Sequence, residues 1–237
     1  MKNIVLNILL VFTTITGKCQ QDGIYWLEDS SESTHKIDVC LTLSNGYYSL
    51  DVISVISEDN IIEGTLSFGK FYKSCNKITL KDDIYDYVFK LRINEDGNLC
   101  VIKGFEPFVG RVFSGRKDYP YPIEDNRDAE KEQLSRLIRF HKNQTPYFEI
   151  THGIYQCGIM CYCALSFSEG KQYEYFFQGL KVSQGSWERQ GNTIVLKDNK
   201  MKRPMYAFKE KTGINGSFLP GSFPSCTMIF IHDLNAP

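Results

Sequence analysis

His152, Cys157, Cys161 and Cys163 are the residues whose types and spacing could do chemistry, with Met160 among them. Thiolate, thioether and imidazole groups form the ligand set that suits Cu(I) or Zn(II). Side chains alternate between the faces of a strand, so Cys161 and Cys163 point to one side and could approach a single ion. A turn ahead of that strand could bring Cys157 round, and His152 could add nitrogen. A structural reading competes. The chain has two similar halves, and matching them at Gly46 and Gly170 sets Cys161 against Ile37 and Cys163 against Val39. Both partners lie on an apolar face, where cysteine serves as a small hydrophobe or as half of a disulfide. Structural use is the commoner role; metal or thiol-redox chemistry is the alternative.

Other chemical signatures are few. No His-Glu-x-x-His motif, phosphate-binding glycine loop or nucleophile elbow is present. His35, His141, His152 and His232 are scattered, and Asp82-Asp83 and the tract Glu28–Glu32 read as solvated turns. Tyr173, Tyr175, Phe176 and Phe177 suit core and cross-strand packing, or else the lining of a ligand cavity. No catalytic residue or cofactor is assigned, and an enzyme is not expected. The 27 basic residues nearly cancel the 28 acidic ones, leaving a net charge of −1. Such a balance provides no field to hold a polyanion, so nucleic acid is not an expected partner.

The elements that would position these residues are mostly short strands. Ile37, Val39, Leu41 and Leu43 alternate with Asp38, Cys40 and Thr42, the period of a half-buried strand. Asn45-Gly46 then supplies a hairpin turn, because both residues accept positive φ. The series Gly23-Ile24-Tyr25, Leu41–Gly46, Gly69-Lys70-Phe71 and Asn76–Asp82 returns as Gly153-Ile154-Tyr155, Leu165–Gly170, Gly185-Ser186-Trp187 and Asn192–Asp198. Between the copies, Tyr119-Pro120-Tyr121-Pro122 breaks regular structure, and Asp128–Phe140 reads as the one helix. Its acidic residues lead, its basic residues trail, and Leu134, Leu137 and Ile138 share a face. The fold class is therefore all-β: two tandem antiparallel meander β-barrel or sandwich domains joined by one α-helix. The expected division is a signal peptide over 1–19, a first β repeat over 20–114, a linker with the helix over 115–147, and a second β repeat over 148–237.

Lys2, the apolar run Ile4–Phe12 and the pair Gly17 and Cys19 have the order of a cleavable export signal. The expected location is the periplasm or cell envelope. A lipid anchor at Cys19 is disfavoured, since Lys18 stands where a lipoprotein needs a small residue. Export fits the eight cysteines, which tend to pair in an oxidising compartment. The second copy resembles the N-terminal domain of the NlpE-type copper-homeostasis and envelope-stress lipoproteins. The likeness rests on Gly153-Ile154-Tyr155, the stretch Cys157 to Cys163, Gly185-Ser186-Trp187 and Asn192–Leu196. It implies a small lipocalin-like barrel; the family's cysteines are spaced Cys-x-x-Cys, and those here Cys-x-x-x-Cys-x-Cys. The functional expectation is an exported, non-enzymatic binding or interaction protein, its partner a small apolar ligand or another protein. Soft-metal (copper or zinc) binding or thiol redox in the envelope is the alternative.

Overall fold

Alternation along each strand turns one row of side chains inward, and closing the sheet removes its edges. In the computed structural model, which describes residues 22–28, 37–57, 60–116, 127–147, 149–157, 163–177, 179–222 and 226–232, this happens twice. The export signal, the Tyr119–Pro122 breaker, Cys19, His35 and Cys161 lie outside the described residues.

The first barrel comprises β1 (Gly23–Leu27), β2 (Ile37–Ser44), β3 (Tyr47–Ser57), β4 (Asn60–Ser74), β5 (Lys77–Asp82), β6 (Val88–Ile93), β7 (Leu99–Lys103) and β8 (Val112–Arg116). Each strand pairs antiparallel with the next, and β8 returns to β1. The second comprises β9 (Gly153–Cys157), β10 (Cys163–Ser168), β11 (Gln172–Phe177), β12 (Leu180–Gln190), β13 (Thr193–Asp198), β14 (Met205–Lys209), β15 (Ile214–Asn215) and β16 (Thr227–His232). There β9 closes the barrel against both β10 and β16.

The hairpins show how the copies diverged. In the first, Asn45 and Gly46 take φ of 51° and 83° between paired Ser44 and Tyr47. In the second, one more residue separates Ser168 from Gln172, with Gly170 and Lys171 carrying the positive φ. The Gly-x-aromatic element has one physical cause in both copies. A Cβ on Gly69 would stand 2.1 Å from the carbonyl oxygen of Lys81, and one on Gly185 would stand 2.1 Å from that of Lys197. Strand β4 runs unbroken through this glycine.

The helix, α1 (Arg127–Lys142), extends beyond both sequence-based limits. Its C-terminal end is tied to the second barrel. The Asn192 backbone N–H donates to the His141 carbonyl at 2.9 Å, and the Asn192 side chain donates to Gln144 and Thr145. The His141 ring stacks on Phe208 at 4.8 Å, and burial pushes its pKa down, favouring the neutral imidazole. The barrels also touch directly. The Gly221 N–H donates to the Thr65 carbonyl at 2.7 Å, Tyr85 donates its hydroxyl to the Phe218 carbonyl, and Arg203 pairs with Asp86 at 3.0 Å. Among the described residues no helix is long and apolar enough to cross a membrane. No disulfide joins two described cysteines, and Cys75 and Cys100 carry free thiols.

Candidate functional site

An eight-stranded barrel is just wide enough for its own side chains to fill. Leu41, Leu43, Tyr48, Ile78, Leu80 and Phe113 fill the first interior; Phe167, Tyr173, Tyr175 and Phe177 fill the second. The aromatic series of β11 is therefore core at Tyr173, Tyr175 and Phe177, with Phe176 half-buried on the other face.

Each interior contains the same polar device. The Tyr48 hydroxyl lies 2.7 Å from the Ser67 Oγ, which donates to the Asp82 carboxylate at 2.7 Å. The Tyr173 hydroxyl lies 2.7 Å from the Ser183 Oγ, which donates to Asp198 at 2.6 Å. Backbone N–H groups of Ile84 and Tyr85 complete the shell of Asp82, and those of Gln184 and Lys200 that of Asp198. Buried polar groups must be paired, and these relays pair them. Asp82 is 4% exposed and not part of a solvated turn, because it continues the inward row of Ile78 and Leu80. Burial raises its pKa from 3.8 to about 6, against the lowering pull of its three hydrogen-bond donors. Burial likewise pushes the Tyr48 and Tyr173 hydroxyls well above the ordinary tyrosine value.

A large open space lies outside both interiors. A groove of about 980 Å³ separates the outer wall of strands β1–β4 from α1 and from the 215–222 segment of the second barrel. Sites for drug-sized ligands reach about this volume. Trp26, Cys40, Asp51 and Thr65 are successive cross-strand neighbours along its wall, and Ile24 pairs with Thr42 beside them. Glu130, Gln133 and Leu137 come from the helix; Asn215, Ser217 and Phe218 come from the second barrel. Asp51 accepts hydrogen bonds from Ser49 and Thr65 at 2.9 and 2.7 Å, and burial raises the pKa of Glu130. Asp82 reaches the same groove from the relay. The sequence leaves the ligand site open between a barrel interior and a groove between the copies, and does not say which residues line the groove, because most of its wall residues occupy the outward positions of an alternating pattern. The signal was there: Ile24, Trp26 and Ile53 are apolar at positions that alternation assigns to water.

The cysteine cluster is only partly brought together. His152 is half-buried in the bend before β9, Cys157 ends β9 half-buried, and Cys163 opens β10 fully buried. The Tyr175 hydroxyl lies 3.3 Å from the Cys163 sulfur. Ala164 pairs with Gln156, so one further step of the ladder sets Cys163 opposite Cys157. Cys157 in turn pairs with buried Met228, and Cys226 is buried two residues before it on the same strand edge. Neither Met228 nor Cys226 entered the sequence-based ligand set. Among the described residues, no three of His, Cys, Asp and Glu gather as metal ligands.

No protein-family model, curated protein or solved structure matches this chain. Its class is thus defined by architecture: a duplicated pair of closed antiparallel β-barrels with one helix between them. The groove is shared by both copies and the helix.

Proposed function

We propose that the protein is an exported, non-enzymatic binding protein of the cell envelope whose ligand site is the groove between its barrels. One observation carries the reading: the interiors are occupied by the chain's own side chains, while about 980 Å³ stands open between the copies. The wall mixes apolar and hydrogen-bonding groups, as small-molecule sites do.

Nile red, an uncharged apolar dye, tests the location. Thr42 faces the groove between inward-pointing Leu41 and Leu43, so Thr42→Trp fills the groove and leaves the core intact. Leu41→Ala instead opens a cavity inside the first barrel. The expected result is dye binding weakened at least tenfold by Thr42→Trp and unchanged by Leu41→Ala. The opposite pattern would place the site in the barrel interior and refute the groove.

The row Cys163, Cys157 and Met228 across three neighbouring strands favours a second reading, a soft-metal or thiol-redox site at one end of the second barrel. Directly opposed cysteines on antiparallel strands are within reach of a disulfide in an oxidising compartment. On this reading purified protein carries stoichiometric copper or zinc that Cys163→Ser abolishes. Metal-free protein whose thiols all react with a thiol reagent under denaturing conditions would eliminate it.

A further inference from the structure

We infer that the groove between the barrels selects small organic cations: an ammonium head carried on an apolar body. This rests on the groove being the binding site, and adds which chemistry it takes. Over the whole chain acidic and basic residues balance, 28 against 27. The groove departs from that balance. Asp51, Asp82 and Glu130 line it, and no Lys or Arg is among its described lining residues. These carboxylates come from β3, β5 and α1, so negative charge stands on two sides of the space.

Three further observations favour an organic cation over a metal ion or an anion. The carboxylates do not converge, since among the described residues no group of three acidic, thiol or imidazole side chains is close enough to hold an ion. The space is far larger than a bare ion requires, at about 980 Å³. The lining also contains aromatic and aliphatic residues, among them Trp26, Tyr85, Phe218, Leu137 and Ile53. Aromatic faces attract ammonium groups through their quadrupole. A cleft of one sign with low-dielectric walls concentrates the opposite charge. Burial raises the pKa of both Asp82 and Glu130, the mark of carboxylates short of compensating positive charge, which an entering ammonium would supply.

The test uses three probes with one apolar body and different heads: decylammonium, decanol and decanoate. Trp26 reports occupancy by fluorescence in a Trp187→Phe background, since the chain has only two tryptophans. At pH 7.5, decylammonium should bind at least tenfold tighter than decanol, and decanoate weakest of the three. Asp51→Asn and Glu130→Gln should each cut decylammonium affinity several-fold with little effect on decanol, and added salt should narrow the preference. If decanoate binds as well as decylammonium and Thr42→Phe abolishes both, the groove stands as the site and the cation inference is overturned. If no probe binds, or Thr42→Phe changes nothing, the groove itself is refuted as the site. Melting temperatures of the variants within a few degrees of wild type show that the fold is retained.

Discussion

The substitution Asp82→Asn isolates the cost of burying one carboxyl group. Asp82 is 4% exposed, and burial moves its pKa from 3.8 to about 6. The folded state therefore holds this proton more tightly than the unfolded chain does. As pH rises from about 4 to about 6 the unfolded chain ionises first, and stability falls over that window. Below about 4 both states are protonated and the penalty vanishes; above about 6 both are ionised and it is constant. Two pH units at about 1.4 kcal/mol each give a loss of about 3 kcal/mol between pH 4 and pH 7. Asparagine has no such titration, yet keeps an acceptor for the Ile84 and Tyr85 N–H groups and can donate to the Ser67 Oγ. Urea unfolding of both proteins at pH 4, 5, 6 and 7 supplies the comparison, because other carboxylates cancel in the difference. The wild-type advantage over Asp82→Asn should shrink by about 3 kcal/mol on going from pH 4 to pH 7. A difference that stays constant over the whole range would refute burial as the force acting on this group.

The other expectations concern the duplicated scaffold. Ser183→Ala removes the partner shared by the Tyr173 hydroxyl and Asp198, and should cost about 1–3 kcal/mol by urea unfolding. Ser67→Ala should cost a similar amount in the other copy, since the geometry is the same. Gly185→Ala drives a methyl group into the Lys197 carbonyl and should destabilise by at least about 2 kcal/mol, read as a lowered melting temperature. Cys75 holds φ of 50° at the turn where the second copy has Gly191, so Cys75→Gly should stabilise by up to about 1 kcal/mol in the same assay.

Much of the scaffold was legible because its causes are local. Period-two alternation from Ile37 to Leu43, the positive-φ pair Asn45-Gly46 and the charge order of the helix each act within a few residues. The Gly-x-aromatic elements could be seen to repeat, but not why. Their cause is a carbonyl on the neighbouring strand, at Lys81 or Lys197. The relays were hidden for the same reason: Tyr48, Ser67 and Asp82 sit on three strands, and only the register brings them into one line. The groove was the least legible part, because it exists only where one barrel's outer face meets the other copy. Outward Trp26 and Ile53 are half-buried there, and an alternating pattern cannot say which outward face a second domain will cover. His152 and Cys157 show the converse, since residues close in sequence stand at opposite ends of β9.

That groove belongs to neither barrel alone. Its walls separate if the contacts between Gly221 and Thr65, Tyr85 and Phe218, and Arg203 and Asp86 come apart. Occupancy and docking are therefore two faces of one equilibrium. A ligand that binds only the docked arrangement, at a hundred times its dissociation constant, adds about 2.7 kcal/mol to the association of the halves. Two domains that could unfold in separate steps would then melt together, and a duplicated chain would behave as one cooperative unit with its groove filled.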